Sequence, residues 1–108
     1  MSLTARTCVP CQGGIPPLSA EQARVYLEET PGWTLSPAAD RVSRHFTFPD
    51  FRTAQAFVNK VGNLCETEGH HADISFGWGH AEIVFYTHKI RGLHENDFIM
   101  AAKVNALA

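Results

Sequence analysis

The stretch DISFGWGHAEIVFYTH, residues 73–88, decides the fold, because it alternates apolar and polar residues on both sides of a glycine. Ile74, Phe76 and Trp78 share one face of the first half; Ala81, Ile83 and Phe85 oppose Glu82, Val84 and Tyr86 in the second. Two-residue periodicity around a short link predicts an antiparallel hairpin with one face buried. Gly79-His80 suits a two-residue turn with glycine first. In that register Trp78 faces Ala81, Ser75 faces Val84, and His71 lies opposite His88, about 5 Å away at Cβ.

Outward from the hairpin, Phe51, Ala54, Phe57, Val58, Val61, Leu64 and Cys65 recur at three- and four-residue spacing. They predict an amphipathic helix capped by Asp50 and closed by Gly69. Upstream, RVSRHFTF (41–48) reads as a half-buried strand, with WTLS (33–36) as its partner across a loop. SAEQ (19–22) is a capping box that opens a first helix running to about Glu29. A last helix covers roughly Glu95 to Ala106, with His94 at its N-cap and Asp97 at N3. The order α-β-β-α-β-β-α implies an α+β fold of two layers. A four-stranded antiparallel sheet carries three helices on one face and leaves the other open to a partner or ligand.

The chain has 108 residues, 44% hydrophobic and 19% charged, with a formal net charge of −2. One domain over residues 18–108 is expected, after a flexible N-terminal arm at 1–17. No Lys/Arg run exists, which argues against nucleic acid as the ligand. No leader or membrane-length apolar stretch is read, so the expected location is the cytoplasm. Three cysteines cannot all pair within one chain, which fits a reducing compartment. CVPC (8–11) has zinc-knuckle or dithiol spacing. It has no second pair, and it runs into the loop formers QGGIPPLS.

Six histidines are present, and the topology gathers three of them. His70 and His71 precede the third strand, His88 follows the fourth, and Glu66 and Asp97 belong to the same end of the sheet. Three imidazoles can hold zinc, yet adjacent histidines point apart and rarely chelate one ion together. The alternative is metal-free general acid–base chemistry, in which one ring accepts a proton while another donates. Each positioned transfer contributes about 10²–10⁴-fold. Glu66 and the helix C-terminus would favour a charged imidazolium at His70, with His88 as the neutral base. His45, His80 and His94 are read as surface, hairpin and capping residues. Asp97 is equally at home as a cap residue, and Trp78 and Tyr86 as packing or subunit-contact residues.

Glu66, His70-His71, Trp78, His88 and Asp97 together resemble the signature of the pterin-4a-carbinolamine dehydratases. THKIRGLHENDF looks like that family's TH…GL…D segment, and PPLS, GW and DF…A..F fit as well. The resemblance covers Pro16 to Ala108. It implies dehydration of 4a-hydroxytetrahydropterin to quinonoid dihydropterin, restoring the cofactor of aromatic amino acid hydroxylases. It implies no metal or organic cofactor, and a homodimer or homotetramer. Carried onto this chain, His70, His71 and His88 are catalytic, with His88 the base and His71 or His70 the acid. Glu66, Ala72, Thr87, Lys89, Ile90 and Asp97 would contact the substrate. The family usually has proline where this chain has Ala72. Proline would fix φ near −65° and stiffen the histidine loop, so alanine implies reduced activity. Some members of the family are partners in transcription, and a non-catalytic, dimerising binding module is the competing reading.

Overall fold

The computed structural model describes residues 3–9 and 13–108. The predicted order is present: α1 (Ala20–Leu27), β1 (Thr34–Leu35), β2 (Val42–Thr47), α2 (Phe51–Glu68), β3 (Asp73–Gly77), β4 (His80–Phe85) and α3 (Glu95–Leu107). Short 3-10 turns lie at Leu3–Ala5 and His88–Ile90. The sheet is antiparallel in the order β1-β2-β4-β3, so β4 is central and β3 is an edge.

The helix ends obey their sequence signals. Ser19 and Gln22 form both halves of the capping box on α1. The Asp50 carboxylate accepts the Thr53 N–H at 2.8 Å. Gly69 closes α2 in the left-handed conformation, φ +68°, where a side chain would be strained. Phe57, Val61 and Cys65 of α2 share one core with Val42, Phe46, Ile83 and Phe85 of the sheet, and Ala54 is buried on the same helix. The Trp33 ring lies tilted 5.8 Å from that of Phe85 and donates its indole N–H to Asn105 of α3 at 2.8 Å.

The hairpin turns one residue earlier than the alternation suggests, which slips the pairing of the two strands by two. Gly77 pairs with His80 and Phe76 with Ala81, so Trp78-Gly79 is the link and His80 opens β4. Gly79 is second in the turn at φ +81°, the value a type II turn requires there. A two-residue slip returns every side chain to its original face, so the hydrophobic pattern cannot tell the registers apart. The structural anchor is the neighbouring strand: Phe48 donates its N–H to the Gly79 carbonyl at 2.8 Å, and Thr47 pairs with His80. Trp78 consequently stands 72% exposed at the turn. The expected pairing of His71 with His88 is corrected too, since β3 begins at Asp73 and β4 ends at Phe85.

Residues 3–9 of the N-terminal arm lie against the domain. Leu3 is buried in the core, and Val9 and Asn96 exchange two hydrogen bonds, at 3.1 and 2.7 Å. Arg6 meets Glu95 at 3.0 Å, and Glu68 accepts the Cys8 N–H at 3.0 Å. Cys11 of the CVPC motif lies outside the described residues. Covered by the sheet on one side and the arm on another, α3 is buried continuously from Asn96 to Ala102. Phe98, Ala101 and Ala102 are only part of its inner surface.

The Cys8 N–H and the nearby Lys103 hold the Glu68 carboxyl below its ordinary value of 4.5. A carboxylate whose folded pKa is depressed stabilises the fold above its unfolded pKa, and that contribution fades as pH falls through the folded value. Acidification below pH 4.5 is therefore expected to unlatch the arm before the core opens. Amide exchange at Cys8 should accelerate while Phe85 and Ile83 stay protected; simultaneous loss of protection would contradict the latch.

Candidate active site

The αL turn at Gly69 explains why two adjacent histidines do different things. The Cys65 carbonyl accepts the N–H groups of both Gly69 and His70, which wraps the chain sharply at the end of α2. His70 is thereby aimed inward, only 6% exposed, and His71 outward.

His70 Nε2 lies 2.6 Å from Asp97 Oδ1, and Asp97 is completely buried. The other carboxylate oxygen accepts the Thr87 hydroxyl at 2.9 Å and the His94 N–H at 3.0 Å. One buried carboxylate thus joins the histidine loop, the end of β4 and the first turn of α3. An acceptor so supplied takes the His70 Nε2–H, which leaves Nδ1 as the ring's acceptor nitrogen in the neutral form. Asp97 also completes a capping box, since His94 Nδ1 accepts the Asn96 N–H. Asp97 is thus at once a helix-capping residue and the partner of His70.

His71 bonds through Nε2 to Glu66 in the last turn of α2, with both groups open to solvent. The expectation that Glu66 supports His70 is corrected, because the turn presents the exposed histidine to that carboxylate. His88 opens the 3-10 turn after β4 and is exposed, its ring centroid 4.0 Å from that of Tyr86.

A cavity of about 420 Å³ has His70, His71 and His88 on its walls, together with Tyr86, Thr87 and Lys89. This is a size typical of small-molecule sites. Three histidines from two distant segments therefore face one space, although no ladder pairs them. Among the described residues no three His, Cys, Asp or Glu side chains form a metal-holding group. Of the other residues expected at the site, Glu66 acts behind His71 and Asp97 behind His70. Ala72 and Ile90 do not line the cavity. Tyr86, expected as a packing or subunit-contact residue, lines the cavity. Its place on the same strand face as Glu82 and Val84, two residues before His88, is the signal that could have found it.

Ala72 is half-buried and packs on the core. Burial raises the Cys65 thiol above its ordinary value, and the Ala72 N–H offsets part of that shift. Proline would remove this donor. Ala72→Pro is thus expected to stiffen the histidine loop and raise turnover about two- to fivefold, the equivalent of 0.4–1 kcal/mol of preorganisation. It should lose about 1 kcal/mol of stability with the hydrogen bond. Steady-state turnover and thermal melting check both halves; an unchanged turnover number would remove the loop-stiffening argument.

A profile of the family described as Pterin 4 alpha carbinolamine dehydratase matches residues 16–107. A Methylococcus capsulatus (strain Bath) protein, provisionally named a pterin-4-alpha-carbinolamine dehydratase, is 60% identical over 107 residues, 99% of this chain and 94% of its own length. Among solved structures, a transcriptional coactivator/pterin dehydratase from Brucella melitensis superposes with a TM-score of 0.79 at 28% identity, covering 85% of this chain and 98% of that one. A pterin dehydratase-like protein described as a RuBisCO assembly factor in the α-carboxysome gives a TM-score of 0.61 at 26% identity, covering 71% and 89%.

Proposed function

We propose, because this chain belongs to the pterin-4a-carbinolamine dehydratase family, that it is a hydro-lyase converting 4a-hydroxytetrahydropterin to quinonoid dihydropterin and water. The observation that carries the reading is the convergence of His70, His71 and His88 on one cavity. The reaction needs one base and one acid and no redox partner. His88 takes the N5 proton, and the freed electron pair forms the N5=C4a double bond. The C4a–O bond breaks, and the departing hydroxyl takes its proton from His71. Solvent then returns both rings to their starting states, which their exposure allows.

Glu66 fixes the ring orientation of His71 by accepting its Nε2–H. His70 is a positioning residue in this scheme, its ring pinned by Asp97 as part of the cavity wall. Thr87 and Lys89 contribute the polar lining that orients the pterin. The same reading puts the protein in the cytoplasmic recycling of tetrahydrobiopterin for an aromatic amino acid hydroxylase. It also makes the protein a homodimer or homotetramer that uses the open face of the sheet.

The test is direct. Purified protein added to 4a-hydroxytetrahydropterin should accelerate its loss over buffer, followed at the quinonoid absorbance. No acceleration would leave the second reading, a protein-binding module of the same fold, which the coactivator and assembly-factor roles named for the two solved relatives favour.

A further inference from the structure

A second cavity, of about 330 Å³, adjoins the first and shares Tyr86 and His88 with it. Its other walls are Asp40, Arg41 and Arg91, two guanidinia against one carboxylate, so it is cationic within a chain of net charge −2. Asp40 is committed to its own turn, where Oδ1 accepts the Ser36 hydroxyl at 2.8 Å. Among the described residues neither Arg41 nor Arg91 has a carboxylate within ion-pair distance.

Both arginines are placed by the fold. The Arg41 guanidinium lies 4.0 Å over the Tyr86 ring, which is itself 4.0 Å from the His88 ring. This cation–π contact orients the fork at the boundary between the two cavities. Arg91 adopts φ +50°, a left-handed conformation that disfavours a side chain. The bridge between Thr87 and Gly92 closes the loop around it. Glycine would relieve that conformation, yet the position carries a cation directed at the cavity.

We infer that the second cavity is an anion subsite, in which Arg41 and Arg91 bind a phosphate or carboxylate on the side chain of the pterin while its ring occupies the first. The inference rests on the proposed dehydratase chemistry and shifts its preferred substrate from a neutral-chain pterin such as the tetrahydrobiopterin carbinolamine to pterins with an anionic substituent. Planar guanidinium forks match both anions bidentately, and the shared Tyr86–His88 wall makes ring site and charge site neighbours. Because both arginines are exposed, the preference is about tenfold, equivalent to about 1.4 kcal/mol, rather than the larger figure of a buried pair.

The experiment compares binding of three stable 7,8-dihydropterins by calorimetry. One has a neutral hydroxyalkyl chain, one the same chain as a phosphate monoester, and one a chain ending in a carboxylate. Wild-type protein should bind an anionic ligand about tenfold more tightly than the neutral one at low salt, and the stronger anion identifies the source. The advantage should shrink in high salt as the charges are screened. In Arg91→Gly, which also relieves the backbone, and in Arg41→Gln, the ratio should fall toward one. Equal wild-type affinity for all three, or a ratio unchanged in both variants, overturns the subsite. Wild-type dehydration of the neutral carbinolamine, measured alongside, judges the dehydratase reading separately. If no dihydropterin binds, the pterin reading falls and the subsite with it.

Discussion

Replacing His71 and His88 together by alanine is expected to bring dehydration of the carbinolamine back to its rate in buffer. Each single replacement should lose about 10²–10⁴-fold in kcat, the usual contribution of one positioned proton transfer. The double variant should lose less than the product of the two, because groups that act in one concerted elimination are not additive. The protein should nevertheless remain folded. Both side chains are exposed, and surface changes rarely move stability by more than about 0.5 kcal/mol. Glu66→Gln is a graded companion, since it keeps an acceptor for His71 while removing the carboxylate charge, and about tenfold is expected. Full turnover in the double variant would sink the acid–base assignment.

The second large effect is on stability. Asp97→Ala removes the acceptor for His70 Nε2–H, the Thr87 hydroxyl and the His94 N–H at once, in a place water does not reach. Breaking a buried charged hydrogen-bond set by deleting one partner costs about 3–5 kcal/mol. A domain of this size has only about 5–15 kcal/mol in total. The melting midpoint should therefore drop by more than about 10 °C. Asp97→Asn keeps the shape and one acceptor oxygen and should recover part of the loss. A shift of only a few degrees for Asp97→Ala would mean that the three donors find other partners. Calorimetric melting of the two variants decides it.

Most of the architecture was legible in residues 19–107 because local signals agreed with one another. Ser19-Gln22, Asp50, Gly69 and His94-Asp97 each mark a helix end by a hydrogen-bonding rule that operates within a few residues. The hairpin register was not legible, since a slip of two leaves the faces unchanged and only contact with β2 chooses between the options. The residues of the candidate site were legible as a group gathered at one end of the sheet and not as a set of pairs. Composition and spacing collected His70, His71, His88, Glu66 and Asp97. Which carboxylate serves which histidine depends on the φ of Gly69 and on where α3 docks, both of them tertiary facts. The docking of the arm was invisible for the same reason. Asn96 reads as an ordinary polar residue in a helix until Val9 is laid against it.

The position of Asp97 also has a meaning in time. A chain emerging from the ribosome exposes the histidine pair early, then the hairpin with Thr87 and His88, and delivers the carboxylate only with the first turn of the last helix. Until that helix settles on the sheet, His70 has no buried anchor. The nascent protein therefore has the histidines of the proposed site before it has the arrangement that holds them. The anchored arrangement around His70 waits on the docking of the last helix.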